Sequence, residues 1–257
     1  MYMIPTTNLI IMALNGILGF AVPIGLSIWL IKKYHCRIET ILIGAGVFFL
    51  FALVLETIVH QIVLPRTNIQ GNTLAFAIYG GLMAGLFEES GRFIAMKFLL
   101  KKDTQHTALA YGAGHGGFEM IMIFGLSMLT YAFLGLMSNL GKMDMILATA
   151  PAEAKDQMDA LLATFQSNTP VDYLMGLWER FSALVLQLSL SVLVLVSVRC
   201  KGRWWLFPIA ILLHALVDGL AVMLVGNVSM PDIELIIMSM AIAIAAMAWL
   251  TAKRNEC

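Results

Sequence analysis

The chain has 257 residues, of which 60% are hydrophobic and only 12% are charged, and its formal net charge at pH 7 is zero. A mean hydropathy of +0.86 is far above the range of soluble domains, so the composition indicates a polytopic membrane protein whose surroundings are a lipid bilayer. The basic residues form no continuous face that could contact phosphates, which excludes nucleic acid as a partner.

Seven apolar segments are long enough to cross a bilayer. They cover about 8–31, 40–64, 73–100, 107–136, 176–198, 204–226 and 232–252. Most of the 16 basic residues flank these segments on one side. Because positive charge accumulates on the cytoplasmic side, the pattern predicts an external N-terminus and a cytoplasmic C-terminus. We therefore expect an all-α bundle of about seven transmembrane helices, forming a single integral-membrane domain over residues 1–257.

One long excursion, at about 137–175, falls on the predicted external side. Its sequence is acidic and partly amphipathic, with Ala160, Leu161, Leu162 and Phe165 on one face of a short predicted helix. Two interpretations stay open at this point, a lid over the bundle and a solvated loop helix.

The third segment carries three ionisable groups, Glu88, Glu89 and Arg92, in an otherwise apolar stretch. A charge at this depth costs about 2.5–3.5 kcal/mol on insertion scales, so such groups usually face a protein interior or a wet cavity. Arg92 is close enough along a helix to pair with either glutamate. A structural ion pair is the alternative to a functional site, but one arginine cannot neutralise both carboxylates.

Four polar residues on separate predicted helices share one depth. Glu88, His115, Gln187 and His214 each lie 11 to 13 residues from a basic residue at the cytoplasmic end of their helix. At ~1.5 Å per residue this places all four roughly 16–20 Å from that end, near the middle of the bilayer. We expect them to meet in one cavity.

Two pairs, His115 with Glu119 and His214 with Asp218, have the i, i+4 spacing that places both side chains on one helix face. Such pairs suit a site in which a carboxylate and a histidine polarise a water molecule and a second histidine stabilises an oxyanion. They equally suit a site for Zn²⁺ or another divalent ion. Its candidate ligands are Glu88, His115, Glu119 and His214, and Asp218 or a second glutamate is the candidate for orienting them.

A third i, i+4 pair, Glu56 with His60, lies nearer the predicted external face and outside the common layer. We interpret it as a structural or gating pair. Glu179 and Arg180 begin the fifth segment on the same side, where they are candidates to pair with it.

In chain order, Glu88-Glu89-x-x-Arg92, Gly112-x-Gly114-His115-Gly116-x-x-Glu119 and His214-x-x-x-Asp218 resemble the motifs of the YhfC family of intramembrane proteases. That family is similar to the PrsW-type proteases and, more distantly, to the type II CAAX prenyl proteases and bacteriocin-processing (CPBP) enzymes. The resemblance covers about 74–225, the predicted catalytic core. Arg92 follows the second glutamate by three positions, where the CAAX enzymes have four, which favours the YhfC and PrsW types and weakens any inference of prenylated substrates.

The resemblance implies an intramembrane peptidase in a bacterial plasma membrane, acting on a membrane protein or membrane-associated peptide. Glu88 is implied as the water-activating base, Glu89 and Arg92 as residues that fix its helix, and His214 with Asp218 as the group that holds water or the oxyanion. Either His115 or Glu119 fills the remaining catalytic position. Whether such sites use a metal stays open.

Two other functions fit the same residues. In a small proton- or cation-coupled transporter the buried Glu, His and Asp side chains would relay protons or bind the ion. A polar track reaching both faces would favour transport, whereas water access from the cytoplasmic face would favour proteolysis. A non-catalytic scaffold that retains the site is the third candidate.

Overall fold

The structure, a computed structural model, describes residues 2–100 and 105–254, and every regular element in these two stretches is helical. The prediction of an all-α fold is confirmed. Lys101 and Lys102, the basic residues from which the depths of Glu88 and His115 are predicted, lie outside the described residues.

The helices of the described chain follow one another with short connections. They are α1 (Thr6–Tyr34), α2 (Ile38–Arg66), α3 (Thr73–Ile94), α4 (His106–Asn139), α5 (Met143–Leu147), α6 (Ala152–Ser167), α7 (Pro170–Arg199), α8 (Leu206–Leu224) and α9 (Met230–Arg254).

Six of these helices, α1, α2, α4, α7, α8 and α9, are long and apolar enough to cross a membrane. The chain is therefore a multi-pass membrane protein. The remaining predicted span, at 73–100, contains α3, which is not among the six. The 22 residues of α3 nevertheless reach about 33 Å at ~1.5 Å per residue, the thickness of a bilayer core. The number seven and the orientation stay predictions.

Three π-helical turns change the helical register close to candidate residues. They are Phe49–Glu56 within α2, Ala95–Leu99 after α3 and Met120–Gly125 within α4. Glu56 is the last residue of the first turn, and Glu119 directly precedes the third. Such turns occur frequently at functional sites.

The chain divides into two compact units, and the first comprises Met1–Val22 and Met120–Trp178. Its apolar core includes Met12, Leu134 and, from α6, Leu162 and Phe165, each 2% exposed. The predicted amphipathic helix thus forms, and it buries Leu162 and Phe165 of its apolar face in this core, whereas Ala160 of the same face is exposed.

The second unit, Pro23–Glu119 with Glu179–Cys257, contains every predicted site residue. Its helices pack closely in two pairs, α3 with α8 and α2 with α4. The pairs depend on glycine, because a Cβ at Gly85 would lie 2.5 Å from the carbonyl oxygen of Ile211, and one at Gly114 would collide with the carbonyl of Ile41. The glycines around His115 therefore serve close helix packing, as their spacing predicts.

Candidate active site

The site is centred on a pair of side chains from α3 and α4. Glu88 Oε2 lies 2.8 Å from His115 Nε2, and the two residues are 7% and 0% exposed. The shared depth estimated from the sequence is thus matched by direct contact between two helices. A carboxylate hydrogen-bonded to an imidazole is an arrangement that can accept a proton from water.

The neighbouring glutamate forms the buried ion pair. Arg92 Nη1 donates to both carboxylate oxygens of Glu89, at 2.9 and 3.0 Å, and both side chains are fully buried. Arg92 is engaged with Glu89, and in the part of the chain that the structure describes no arginine contacts the carboxylate of Glu88 directly. The two glutamates, which the sequence could not distinguish by charge, therefore have different surroundings.

His214 of α8 joins the ion pair to the exposed edge of the site. Its Nδ1 lies 2.8 Å from Glu89 Oε1, and its Nε2 faces Asp218 Oδ2 at 3.4 Å. The predicted His214 and Asp218 pair is thus formed. The side chain of Asp218 is 40% exposed and that of His214 only 3%, so Asp218 borders the accessible edge of the cluster.

Each site histidine has a partner on its second ring nitrogen. Tyr111 Oη lies 3.4 Å from Nδ1 of His115, and the Phe48 ring meets the same imidazole edge to face at a centroid distance of 5.2 Å. Glu89 plays the corresponding part for His214. A partner on Nδ1 fixes the orientation of an imidazole and directs Nε2 toward the chemistry.

Glu119 shares a helix with His115 but bonds elsewhere. It accepts from Arg180 Nη1 at 3.2 Å and from Gln187 Nε2 at 2.8 Å, both on α7. The same Gln187 nitrogen donates to Glu88 Oε2 at 2.8 Å. Glu119 is therefore linked to Glu88 through an amide, whereas His115 touches Glu88 directly.

The pair outside the common layer also forms. Glu56 Oε1 lies 3.1 Å from His60 Nε2, and His60 Nδ1 lies 2.9 Å from Tyr79 Oη. Glu56 is near enough to interact electrostatically with Glu88. The sequence made Arg180 a candidate partner of this pair. In the structure Arg180 contacts Glu119 and Glu179 instead.

Sequence reasoning missed one buried acid. Glu234, near the start of α9, is 4% exposed and interacts electrostatically with Glu179 and Arg180. From the sequence alone, an acid so close to the start of a helix is expected to lie on the surface. A signal was nevertheless present, because the buried apolar positions of α9, at 237, 241, 244 and 248, recur every three or four residues, and Glu234 continues that stripe.

The donor types of the site suit a divalent metal, but their positions do not. Two donors bound to one zinc ion at 2.0–2.1 Å in a tetrahedron lie roughly 3.3 Å apart, whereas Glu88 Oε2 and His115 Nε2 are hydrogen-bonded at 2.8 Å. Both oxygens of Glu119 are bound by Arg180 and Gln187. Among the described residues, no three His, Cys, Asp or Glu side chains are grouped so that they could hold an ion.

Comparisons with known proteins identify the family of the chain. The chain is 39% identical over 230 residues to the protein named "Uncharacterized membrane protein YhfC" of Bacillus subtilis (strain 168), covering 86% of each chain. No solved structure matches. The family model described as YhfC intramembrane metalloprotease matches residues 18–243, which include every candidate site residue. The chain belongs to the YhfC intramembrane metalloprotease family.

Proposed function

We propose that this protein is an intramembrane peptidase that hydrolyses a peptide bond of a membrane protein or membrane-associated peptide in the bacterial cell membrane. The observation that carries the proposal is the direct contact between Glu88 and His115, which lie on the consecutive helices α3 and α4 and are both buried. A buried carboxylate and imidazole in a membrane protein mark a functional site by default. The family to which the chain belongs supplies the class of reaction.

In this proposal Glu88 is the general base. Both hydrogen bonds to its carboxylate, from His115 and from Gln187, fall on Oε2, which leaves Oε1 to accept a proton from water. The water oxygen bonds to the carbonyl carbon of the substrate as its proton passes to Glu88. When the C–N bond breaks, the same proton passes to the departing amine nitrogen, so the base is regenerated.

His214 and Asp218 stabilise the negative charge that develops on the substrate oxygen in this proposal. The Nε2 of His214 points to the exposed edge of the site at Asp218, where a substrate carbonyl can reach it. An N–H at this position donates to the oxygen on which negative charge develops. Glu89 and Arg92 orient His214 and carry no proton of the reaction in this account.

The contacts favour His115 over Glu119 as the direct partner of Glu88. His115 touches the base, whereas Glu119 is held by Arg180 and reaches Glu88 only through the amide of Gln187. We therefore assign Glu119 a positioning role. No step of this mechanism uses a metal ion, because the donor atoms present do not fit one as they are arranged.

The polar contacts beyond the site extend toward one end of the bundle. Glu119 and Arg180 lead to the start of α7, at the end of the helix opposite Arg199. On the other side of Gln187, α7 continues in the buried apolar residues Leu190 and Leu193. Its buried serines there, at 189, 191 and 197, each donate to a carbonyl oxygen of their own helix. These residues do not support a polar track that reaches both faces of the membrane, which transport would need. They also do not support the water access from the cytoplasmic face that we expected of a protease. We infer access from the Asp218 side.

The function is tested by comparing inner-membrane vesicles from cells producing the wild-type chain with vesicles from cells producing E88Q. New protein N-termini are sequenced by mass spectrometry after matched incubations. We expect N-termini within or beside membrane spans in the wild-type sample and their absence with E88Q. The exposed acid Glu153 of α6 provides the control, because E153Q should give the wild-type pattern. Equal patterns from wild type and E88Q would overturn the proposal.

Metal is tested separately by elemental analysis of the detergent-purified protein, wild type beside E88Q and H214A. Stoichiometric zinc that is lost in both variants would show that the donors separate to take up an ion and would overturn the metal-independent steps. Less than stoichiometric metal in the wild type would support them.

A further inference from the structure

One amide connects the first two sequence motifs, the one with Glu88, Glu89 and Arg92 and the one with His115 and Glu119. Gln187 is 2% exposed; its Nε2 donates to Glu88 Oε2 and to Glu119 Oε2, each at 2.8 Å, and its Oε1 accepts from Arg92 Nη2. Two carboxylates need donors and a guanidinium needs an acceptor, so only one orientation of the amide satisfies every partner. Both hydrogens of the amide and its oxygen are engaged.

We propose that Gln187 is the positioning residue that holds the Glu88 carboxylate in place for catalysis. This rests on the proposed peptidase function. A buried carboxylate needs hydrogen-bond donors, and Arg92 is already engaged with Glu89. An arginine beside Glu88 would form an ion pair and weaken it as a base. A neutral amide donates a hydrogen bond and orients the carboxylate without neutralising it.

The packing of α7 against α4 is adapted to this amide. A Cβ added at Gly116 would lie 2.7 Å from Cβ of Gln187, and one at Gly112 would lie 3.0 Å from Cα of Leu188. A larger residue at either glycine must displace α7 or the Gln187 side chain. The glycines on both sides of His115 therefore set the distance between Gln187 and the two carboxylates.

The activity test compares Q187M with the wild type on a synthetic peptide that spans a cleavage site found in the vesicle experiment. Methionine keeps the length and approximate volume of the side chain and removes every hydrogen bond. We expect kcat to fall about 10- to 100-fold, as for other residues that orient catalytic groups, with KM within about twofold of wild type. Gly116→Ala should lower kcat in the same way. A Q187M enzyme with wild-type kcat, or with KM alone changed, would overturn the proposal.

A second measurement needs no substrate. Q187E keeps the shape of the side chain but places a third carboxylate against Glu88 and Glu119, so its melting temperature in detergent should fall. In the double variant E88Q/Q187E one amide again faces one carboxylate, and most of the loss should be recovered. The control is Q61E, the same substitution at an exposed position of α2, which should melt like wild type. Additive losses from E88Q and Q187E would overturn the proposed contact.

The two measurements separate the two claims. If the wild type cleaves nothing while the double variant still recovers its melting temperature, the peptidase function and the catalytic role of Gln187 fail together and the contact stands. If the wild type cleaves and Q187M is equally active, the positioning role alone is wrong.

Discussion

The two units of the chain bury polar side chains in different ways. In the described part of the first unit, the buried polar side chains are neutral, and Asn8 and Asn15 donate to backbone carbonyl oxygens. The second unit buries carboxylates, imidazoles and Arg92, and these groups and Arg180 contact one another across four helices. A neutral amide that bonds to backbone groups can be buried at a small cost in free energy. A buried charge costs much more unless a group of opposite charge and further hydrogen bonds compensate it. On this difference we base the assignment of the proposed function to the second unit.

Arg92→Met should have the strongest effect of the substitutions considered, a loss of stability. The variant leaves Glu89 as a buried charge without its partner, which costs about 3–5 kcal/mol. We expect a strong fall in the melting temperature of the purified protein, measured by intrinsic fluorescence. Arg37 is the matched control, because its ion pair with Glu39 lies on the surface with side chains 53% and 58% exposed. R37M should melt like wild type; an R92M protein that did so as well would show that the buried pair is dispensable.

The next effect is on cleavage, from His214→Ala. Loss of a donor to the developing oxyanion costs about 100- to 1,000-fold in kcat. Asp218→Asn keeps a polar group beside the imidazole, so its loss should be smaller, about tenfold. Both rates are measured on the same peptide in proteoliposomes. A D218N enzyme slower than H214A would reverse the roles given to the two residues.

A smaller difference separates the two candidate partners of Glu88. His115→Ala removes a direct contact of the base, whereas Glu119→Gln changes a residue that reaches it only through Gln187. We expect H115A to lose about 100-fold or more in kcat and E119Q about 10-fold. Equal rates for the two variants, or a slower E119Q, would return Glu119 to the direct position.

The smallest effect is expected in the first unit. Asn15 Nδ2 donates to the carbonyl oxygen of Tyr173 at 2.7 Å, and Asn15→Ala should cost about 1 kcal/mol of stability. Because no charge is exposed or left unpaired, the melting temperature should fall slightly and kcat should stay at the wild-type value. A loss of cleavage without a loss of stability in N15A would contradict the assignment of function to the second unit alone.

Much of this contrast was predictable from the sequence. Hydropathy indicated the spans, helical spacing gave the pairs of His214 with Asp218 and of Glu56 with His60, and distance along each helix placed Glu88 and His115 at one level. These predictions depend on local geometry, which the sequence determines through the rise and period of a helix.

The choice of partners in the site was not predictable, because depth does not determine the direction in which a side chain points around its helix axis. Glu89 and not Glu88 pairs with Arg92, and His214 turns its Nδ1 to Glu89. The spacing of Glu119 placed it on the face of His115, yet Arg180 and Gln187 bind it instead. Such choices are made by helix packing, which hydropathy does not encode.

The proposed mechanism depends on the direct attack of a water molecule, activated by Glu88, on the substrate. It is tested by a single turnover in H₂¹⁸O, with enzyme in excess over the peptide and the product analysed by mass spectrometry. Direct attack predicts one ¹⁸O atom in the new C-terminal carboxylate from the first turnover, and no product with E88Q. A first-turnover product without ¹⁸O, or an E88Q enzyme that cleaves at the wild-type rate, would show that Glu88 does not activate water for direct attack.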